Sequence, residues 1–118
     1  MARALAGVIL ALLAGCGRPP EREPLTGGNA RHGLGLIQQY GCGSCHRISG
    51  VPGANGSVGP PLDELAHRVY LAGRLANTPD NLIKWIRDPR AVDPSTVMPA
   101  VGVDEAGARD IAAYLYTR

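Results

Sequence analysis

The segment from residue 42 to residue 46 constrains this chain more than any other, because it reads Cys-Gly-Ser-Cys-His. Two cysteines separated by two residues and followed directly by histidine form the attachment pattern of c-type haem. Each thiol can add across one porphyrin vinyl group, and the histidine that follows can then bind the iron. We therefore expect one covalent haem c on Cys42 and Cys45, with His46 as an axial ligand of the iron.

The same spacing also occurs in thioredoxin-like redox pairs and in one half of a structural zinc site. A redox pair would need a β-α-β context, and a structural zinc would need a second pair of cysteine or histidine ligands. The sequence offers neither, because the only cysteine outside the motif is Cys16. The pattern therefore favours haem.

The first residues of the chain have the pattern of an export signal. Arg3 supplies a positive charge, residues 5 to 13 are apolar, and small residues precede Cys16. This apolar stretch is too short to span a membrane comfortably. The ending Leu-Ala-Gly-Cys resembles the bacterial lipobox, which implies removal of residues 1 to 15 and lipidation of Cys16. The alternative is ordinary signal cleavage near Ala14, which would leave a spare thiol.

Residues 16 to 28 are expected to form a lipidated, flexible tether, because three prolines and several charged residues lie there without apolar periodicity. The expected location is the periplasmic face of a bacterial membrane, to which the lipid anchors the exported protein.

The 12 basic and 10 acidic side chains nearly balance, so nothing indicates a nucleic-acid partner. We expect a monomer.

Residues 29 to 118 have the sequence pattern of one all-α domain with three to five helices. Apolar side chains repeat at helical spacing over residues 30 to 40 and again from about residue 104 to 116. The chain has no phenylalanine and few other aromatic residues, so its own core would be thin. A buried porphyrin would supply the missing apolar bulk.

The helix between these two has the clearest boundary signals. Thr78 can cap its amino terminus, Pro79 suits its first position, and Pro89 ends it. A further short helix over residues 62 to 72 is compatible with the sequence, while the glycine- and proline-rich stretch before it excludes regular structure. No convincing alternating strand appears, which places the domain in the all-α class.

Several short motifs in this order resemble the class I cytochrome c family. They are the Cys-x-x-Cys-His segment, Gly-Pro-Pro-Leu at 59–62, the helical segment 81–89, Met-Pro at 98–99 and Ala-Ala-Tyr-Leu at 112–115. The likeness covers residues 29 to 118, and it extends to domains attached to haem–copper oxidases. It implies a small cytochrome c fold wrapped around one haem, with crossed terminal helices and one exposed haem edge.

Met98 is the predicted distal ligand on two grounds. Low-spin electron-transfer haems need a second strong ligand, usually methionine or histidine, and signal cleavage would leave Met98 as the only methionine. Met98 also lies at the ligand position of the family. Core packing is the alternative for a lone methionine. His67 is the rival ligand, whereas His32 is expected to be solvated.

The resemblance also implies contacts around these ligands. Pro60 is expected to accept the remaining ring N–H of His46, which would fix the ring and raise its basicity. Trp85 is expected to pack beside the methionine ligand, and Thr96 to bond a haem propionate. The alternatives are a plain turn around Pro60 and plain core packing of Trp85.

Two further pairs of residues complete the candidate set. Arg74 and Asn77 precede the middle helix and are candidates for contact with a propionate, with a solvated side chain as the alternative for Arg74. Gly33 and Tyr114 match the family's close contact between the terminal helices, where a missing side chain lets an aromatic ring approach. For Gly33 and Tyr114 the resemblance therefore implies a role in folding and no chemical role.

The expected function is that of a membrane-anchored monohaem cytochrome, not itself an enzyme, which carries single electrons in a respiratory chain. The expected partners are redox proteins such as a quinol–cytochrome c reductase or a haem–copper terminal oxidase. The alternative is a haem enzyme or gas sensor, which needs an open or displaceable distal position. A firmly bound Met98 thioether would fill that position, so the sequence favours the electron carrier.

Overall fold

The computed structural model describes residues 17 to 118, which form four α-helices, two short 3₁₀-helices and one two-stranded antiparallel sheet. The α-helices are α1 (Ala30–Gln39), α2 (Pro79–Arg87), α3 (Pro89–Val92) and α4 (Glu105–Leu115). The 3₁₀-helices are Cys42–Ser44 and Leu65–His67, and the strands are β1 (Tyr70–Leu71) and β2 (Leu75–Ala76). Within residues 17 to 118, no helix has the length and apolar character needed to cross a membrane.

Side-chain caps set the starts of the three longer helices. Asn29, Thr78 and Asp104 precede α1, α2 and α4, and each side chain accepts a backbone N–H from the first turn of its helix. Pro79 occupies the first position of α2, where its missing N–H costs nothing. Pro89 follows the end of α2, as the sequence predicts, and it also begins the short helix α3.

The core lies where α1 crosses α4, which is the most extensive contact between any two elements. Small side chains on α4, among them Ala108 and Ala112, are fully buried there. Gly33 of α1 allows the close approach, because a Cβ at this position would overlap the backbone carbonyl of Asp110. The crossing therefore depends on one position that has no side chain.

The prediction of a purely helical domain was wrong in one segment. Residues 62 to 72 do not form a helix, since only Leu65–His67 has helical geometry, and β1 pairs with β2 in a tight hairpin. The turn between the strands takes positive φ values of 51° at Ala72 and 67° at Gly73. The domain is therefore mostly helical with one small hairpin.

Residues 23 to 28 form an ordered turn that packs on α4. Glu23 is buried, and its carboxylate accepts the backbone N–H groups of Leu25 and Thr26 at 2.9 and 2.7 Å and the Thr26 hydroxyl at 2.7 Å. Arg109 of α4 donates to the Thr26 carbonyl at 3.0 Å. This part of the expected tether is thus held by the domain. Residue 16 and the expected export signal lie outside the described residues.

Gly33 and Gly35 provide a matched test of the helix crossing. Alanine at position 33 is expected to lower the free energy of unfolding by about 3 kcal/mol, because the added methyl group must displace the α4 backbone. The added methyl group of alanine at position 35 would meet nothing within 4 Å. This substitution should raise the free energy of unfolding by up to about 1 kcal/mol, because alanine has a higher helix propensity than glycine. Denaturant unfolding of both haem-containing variants measures this, and equal effects would contradict the close crossing.

Candidate haem site

Cys42 begins a short 3₁₀-helix that two residues separate from α1, and Cys45 caps the end of this 3₁₀-helix. Gly41, with a φ of 71°, separates the two helices, and the backbone N–H of His46 donates to the Cys42 carbonyl at 3.0 Å. A 3₁₀-helix has about three residues per turn, so side chains three positions apart lie above one another. The spacing of Cys42 and Cys45 therefore brings both thiols to the same cavity.

That cavity has a volume of about 380 Å³ and is lined mainly by apolar side chains. Its walls come from α1, α2, α4, the β1–β2 hairpin and the loop between residues 93 and 101. The residues predicted to hold the haem or to contact its ligands all line this one cavity, namely Cys42, Cys45, His46, Pro60, Trp85, Thr96 and Met98. Two thiols, one imidazole and one thioether in an apolar enclosure are the donor set that suits a covalently attached haem.

The imidazole of His46 is held in one tautomer. His46 is buried, and its Nδ1 lies 2.7 Å from the Pro60 carbonyl oxygen, the contact that the resemblance implies. A carbonyl can only accept a hydrogen bond, so Nδ1 carries the proton and Nε2 keeps the lone pair that an iron ligand needs. Gly59 packs against this ring, and a Cβ at Gly59 would overlap the imidazole.

Backbone hydrogen bonds on both sides position the Pro60 carbonyl. The N–H of Gly59 donates to the Cys45 carbonyl at 2.7 Å, and the N–H of Leu62 donates to the Arg47 carbonyl at 2.9 Å. These bonds join the carbonyl-bearing segment directly to the haem-attachment motif. The Pro60 carbonyl and the His46 imidazole therefore belong to one hydrogen-bonded unit.

The loop that carries Met98 has its own internal bonds. The hydroxyl of Thr96 accepts the Met98 N–H at 3.2 Å, which leaves its O–H proton available to another acceptor. Asp93 accepts the backbone N–H and the hydroxyl of Ser95 at 3.0 and 2.7 Å, and Arg74 pairs with Asp93 at 3.2 Å. The bonds from Ser95, followed by the charge of Arg74, hold the pKa of Asp93 below its usual value.

The structure does not place Arg74 and Asn77 at the cavity. Arg74 contacts Asp93, and Asn77 donates to the backbone carbonyls of Leu65 and Arg68. Neither side chain lines the cavity, and their contact with a propionate stays a prediction. Arg68 does line it, and sequence reasoning missed this residue because an arginine between helices is normally solvated.

Of the three histidines in the sequence, only His46 lines the cavity. His67 lies exposed in the second 3₁₀-helix, and His32 is exposed with its Nδ1 2.7 Å from Asp110. Trp85 is half-buried on α2 and lines the cavity together with Met98. Neither His67, the rival ligand, nor His32 thus lines the cavity that contains Met98.

The alternatives to haem find no support in the geometry. Redox-active cysteine pairs have a lowered thiol pKa, whereas burial raises the pKa of Cys42, and the nearby Cys45 acts in the same direction. Residues 17 to 118 contain no group of three or more His, Cys, Asp or Glu side chains placed to hold a metal ion. A thioredoxin-like or zinc-binding role therefore has no matching site in this part of the chain.

Comparison with known proteins agrees with the geometry. A cytochrome c family model matches residues 30 to 118. Cytochrome c oxidase subunit 2 of Alkalihalophilus pseudofirmus is 33% identical over 100 residues, which are 84% of this chain and 28% of the relative. The chain thus spans about 28% of that relative's length. It belongs to the cytochrome c family, whose members bind haem c covalently and carry electrons, and the class I resemblance is confirmed.

Haem attachment through both thiols can be measured directly. Mass spectrometry of the denatured protein should show one added haem, because the thioether bonds survive unfolding. Replacing both Cys42 and Cys45 with alanine should abolish the added mass, since no other described cysteine exists. A haem that is lost from the wild-type protein on denaturation would contradict covalent attachment.

Proposed function

We propose that the chain is an exported, lipid-anchored monohaem cytochrome that carries single electrons to or from a haem–copper terminal oxidase. The observation that carries this proposal is the convergence of Cys42, Cys45, His46 and Met98 on one apolar cavity. When bound there, haem supplies a one-electron couple at its iron. The chain would supply the imidazole of His46 and the thioether of Met98 to the iron and would limit the access of water.

The proposed distal ligand is the thioether of Met98. Its backbone is held by the Thr96 hydroxyl, and the ion pair between Asp93 and Arg74 ties its loop to the hairpin. The two other histidines lie outside the cavity, so no imidazole competes with the sulfur. Ligation by Met98 leaves no open coordination position, which favours electron transfer over the alternative of a haem enzyme or gas sensor.

The proposed partner follows from the relative and from the rim of the cavity. The relative is by its name a cytochrome c oxidase subunit 2, and its shared region covers 84% of this chain. Val58 and Val97 line the cavity although they are 70% and 79% exposed, so the rim offers apolar side chains to a partner. We infer that a terminal oxidase docks there, and that a quinol–cytochrome c reductase is a suitable electron donor.

The proposed anchor is lipid on Cys16, at the periplasmic face of a bacterial membrane. Because residues 23 to 28 are packed on α4, the free tether would be residues 16 to 22 at most, and the ion pair of Glu21 with Arg31 at 2.7 Å shortens it further. That length spans at most roughly 20 Å. A short tether would keep a high effective concentration of the carrier beside membrane-bound partners.

Replacement of Met98 by alanine tests the distal ligand. The weak far-red absorption of the oxidised protein, which reports sulfur on iron, should disappear, and the reduction potential should fall because the thioether favours ferrous iron. Added cyanide or azide should then bind readily. His67→Ala is the matched control, since His67 lies outside the cavity. If Met98→Ala keeps the far-red band while His67→Ala loses it, the axial assignment is wrong.

Replacement of Cys16 by serine tests the anchor. The variant should lack the lipid mass and leave the membrane fraction, while its haem spectrum stays that of the wild type because residue 16 is remote from the motif in sequence. Mass spectrometry and membrane fractionation measure both effects. Wild-type protein that is free in solution and unacylated would contradict the proposed lipid anchor. It would leave the assignment of the haem site unchanged.

A further inference from the structure

Leu25 is 66% exposed although it lies within the ordered turn of residues 23 to 28, and no role described above uses its side chain. Two backbone bonds of 2.8 Å close this turn, from the N–H of Glu23 to the Gly28 carbonyl and from the N–H of Gly27 to the Glu23 carbonyl. The Glu23 carboxylate accepts the N–H of Leu25. The backbone of Leu25 is therefore fixed, while its side chain faces solvent.

Three arginines lie in or beside the same segment. Arg18, Arg22 and Arg31 are all exposed. The exposed acid of the segment, Glu21, pairs with Arg31 at 2.7 Å, which holds the chain before the turn against the first turn of α1. The other acid of the segment is buried. The exposed side chains of residues 17 to 31 thus carry three positive charges against one negative charge.

The position of this segment in the chain gives the exposed leucine a meaning. A single exposed leucine is common on protein surfaces. Leu25, however, follows the proposed lipid attachment site Cys16 by nine residues, which would span at most about 30 Å even if extended. An apolar side chain with arginines around it is also the composition of segments that bind at the membrane interface, where the apolar group enters the acyl boundary and the cations stay at the phosphates.

We propose that Arg18, Arg22, Leu25 and Arg31 form a membrane-binding surface, here called the Leu25 face. Leu25 enters the boundary between headgroups and acyl chains, and the arginines bind the phosphates of anionic phospholipids. The inference rests on the proposed lipid anchor, because the anchor brings this face to the membrane. Contacts of this size are weak in free solution, but a short tether gives them a high effective concentration, so that they form in the anchored protein.

The Leu25 face is separate from the haem cavity. Of the residues that line the cavity, Ile37 is the first in the chain, so none of residues 17 to 36 belongs to it. Binding of the Leu25 face to the membrane therefore leaves the apolar rim at Val58 and Val97 accessible. A lipid alone would let the domain rotate about its tether, whereas a second contact restricts this rotation and reduces the orientational cost of docking to a membrane-bound partner.

Vesicle binding of the haem-containing protein tests the Leu25 face, with every protein made in the Cys16→Ser background so that no lipid contributes. The vesicles are either pure phosphatidylcholine or an equimolar mixture with phosphatidylglycerol, and haem absorbance in the vesicle pellet measures binding. Leu25→Ser should weaken binding to the mixed vesicles about tenfold, because one partly buried leucine is lost. Arg22→Gln should weaken it about fivefold, the effect of one cation at an anionic surface, and should leave the weaker binding to pure phosphatidylcholine unchanged.

Two matched variants control for general stickiness and for net charge. Val69→Ser removes an apolar side chain that is 72% exposed and lies beside the β1–β2 hairpin, outside the cavity. Arg90→Gln removes an exposed cation on α3. Neither change should alter binding to the mixed vesicles by more than about twofold, because both residues lie outside the Leu25 face.

Background protein that does not bind the mixed vesicles would overturn the proposal, and so would unchanged binding of either Leu25→Ser or Arg22→Gln. Losses in Val69→Ser or Arg90→Gln as large as those in their counterparts would overturn it too, since they would show general stickiness or a net-charge effect. Both target side chains are exposed, so the haem spectrum should stay that of the wild type, and Arg22→Gln decides alone if Leu25→Ser does not fold. Failure of the lipid anchor has a different sign, because it leaves vesicle binding intact while the wild-type protein lacks the lipid mass.

Discussion

Two thiols and one imidazole must face the same cavity at the end of one helix, and the rest of this domain is arranged around that requirement. The thiols of Cys42 and Cys45 face the same cavity because the turn of the 3₁₀-helix after α1 matches their spacing. The hydrogen bond from His46 to the Pro60 carbonyl orients the imidazole towards the cavity and fixes its tautomer. The crossing of α1 with α4 then holds this assembly against the core, at a distance that the bare Gly33 permits.

The sequence predicted the site better than it predicted the connecting segments. Ligand spacing, helix caps and proline positions are local signals, and they predicted the haem motif and the bounds of α2 because local chemistry decides them. The predicted site residues line one cavity. The β1–β2 hairpin escaped detection because its strands have two residues each, which is too short for an alternating pattern. Arg68 was missed as a cavity residue because its position depends on a hydrogen bond to the carbonyl of Pro61, which composition cannot reveal.

The turn at residues 23 to 28 illustrates the same limit. Proline and charged residues in this region read as a tether, since buried carboxylates are rare. Glu23 is nevertheless buried, because two backbone N–H groups and the Thr26 hydroxyl satisfy its oxygens within three residues. The domain therefore begins earlier than apolar periodicity indicates, and a lipid anchor on Cys16 would be correspondingly short.

We propose that this site, with His46 and Met98 as ligands of the haem iron, passes electrons through an apolar rim. The most direct test is stopped-flow oxidation of the reduced holoprotein by membranes that contain a haem–copper oxidase, at low and at physiological salt. The account predicts rapid oxidation that slows only modestly with salt, because 12 basic and 10 acidic side chains do not provide strong net steering. Protein that stays reduced in the presence of the oxidase, yet binds carbon monoxide readily, would contradict it.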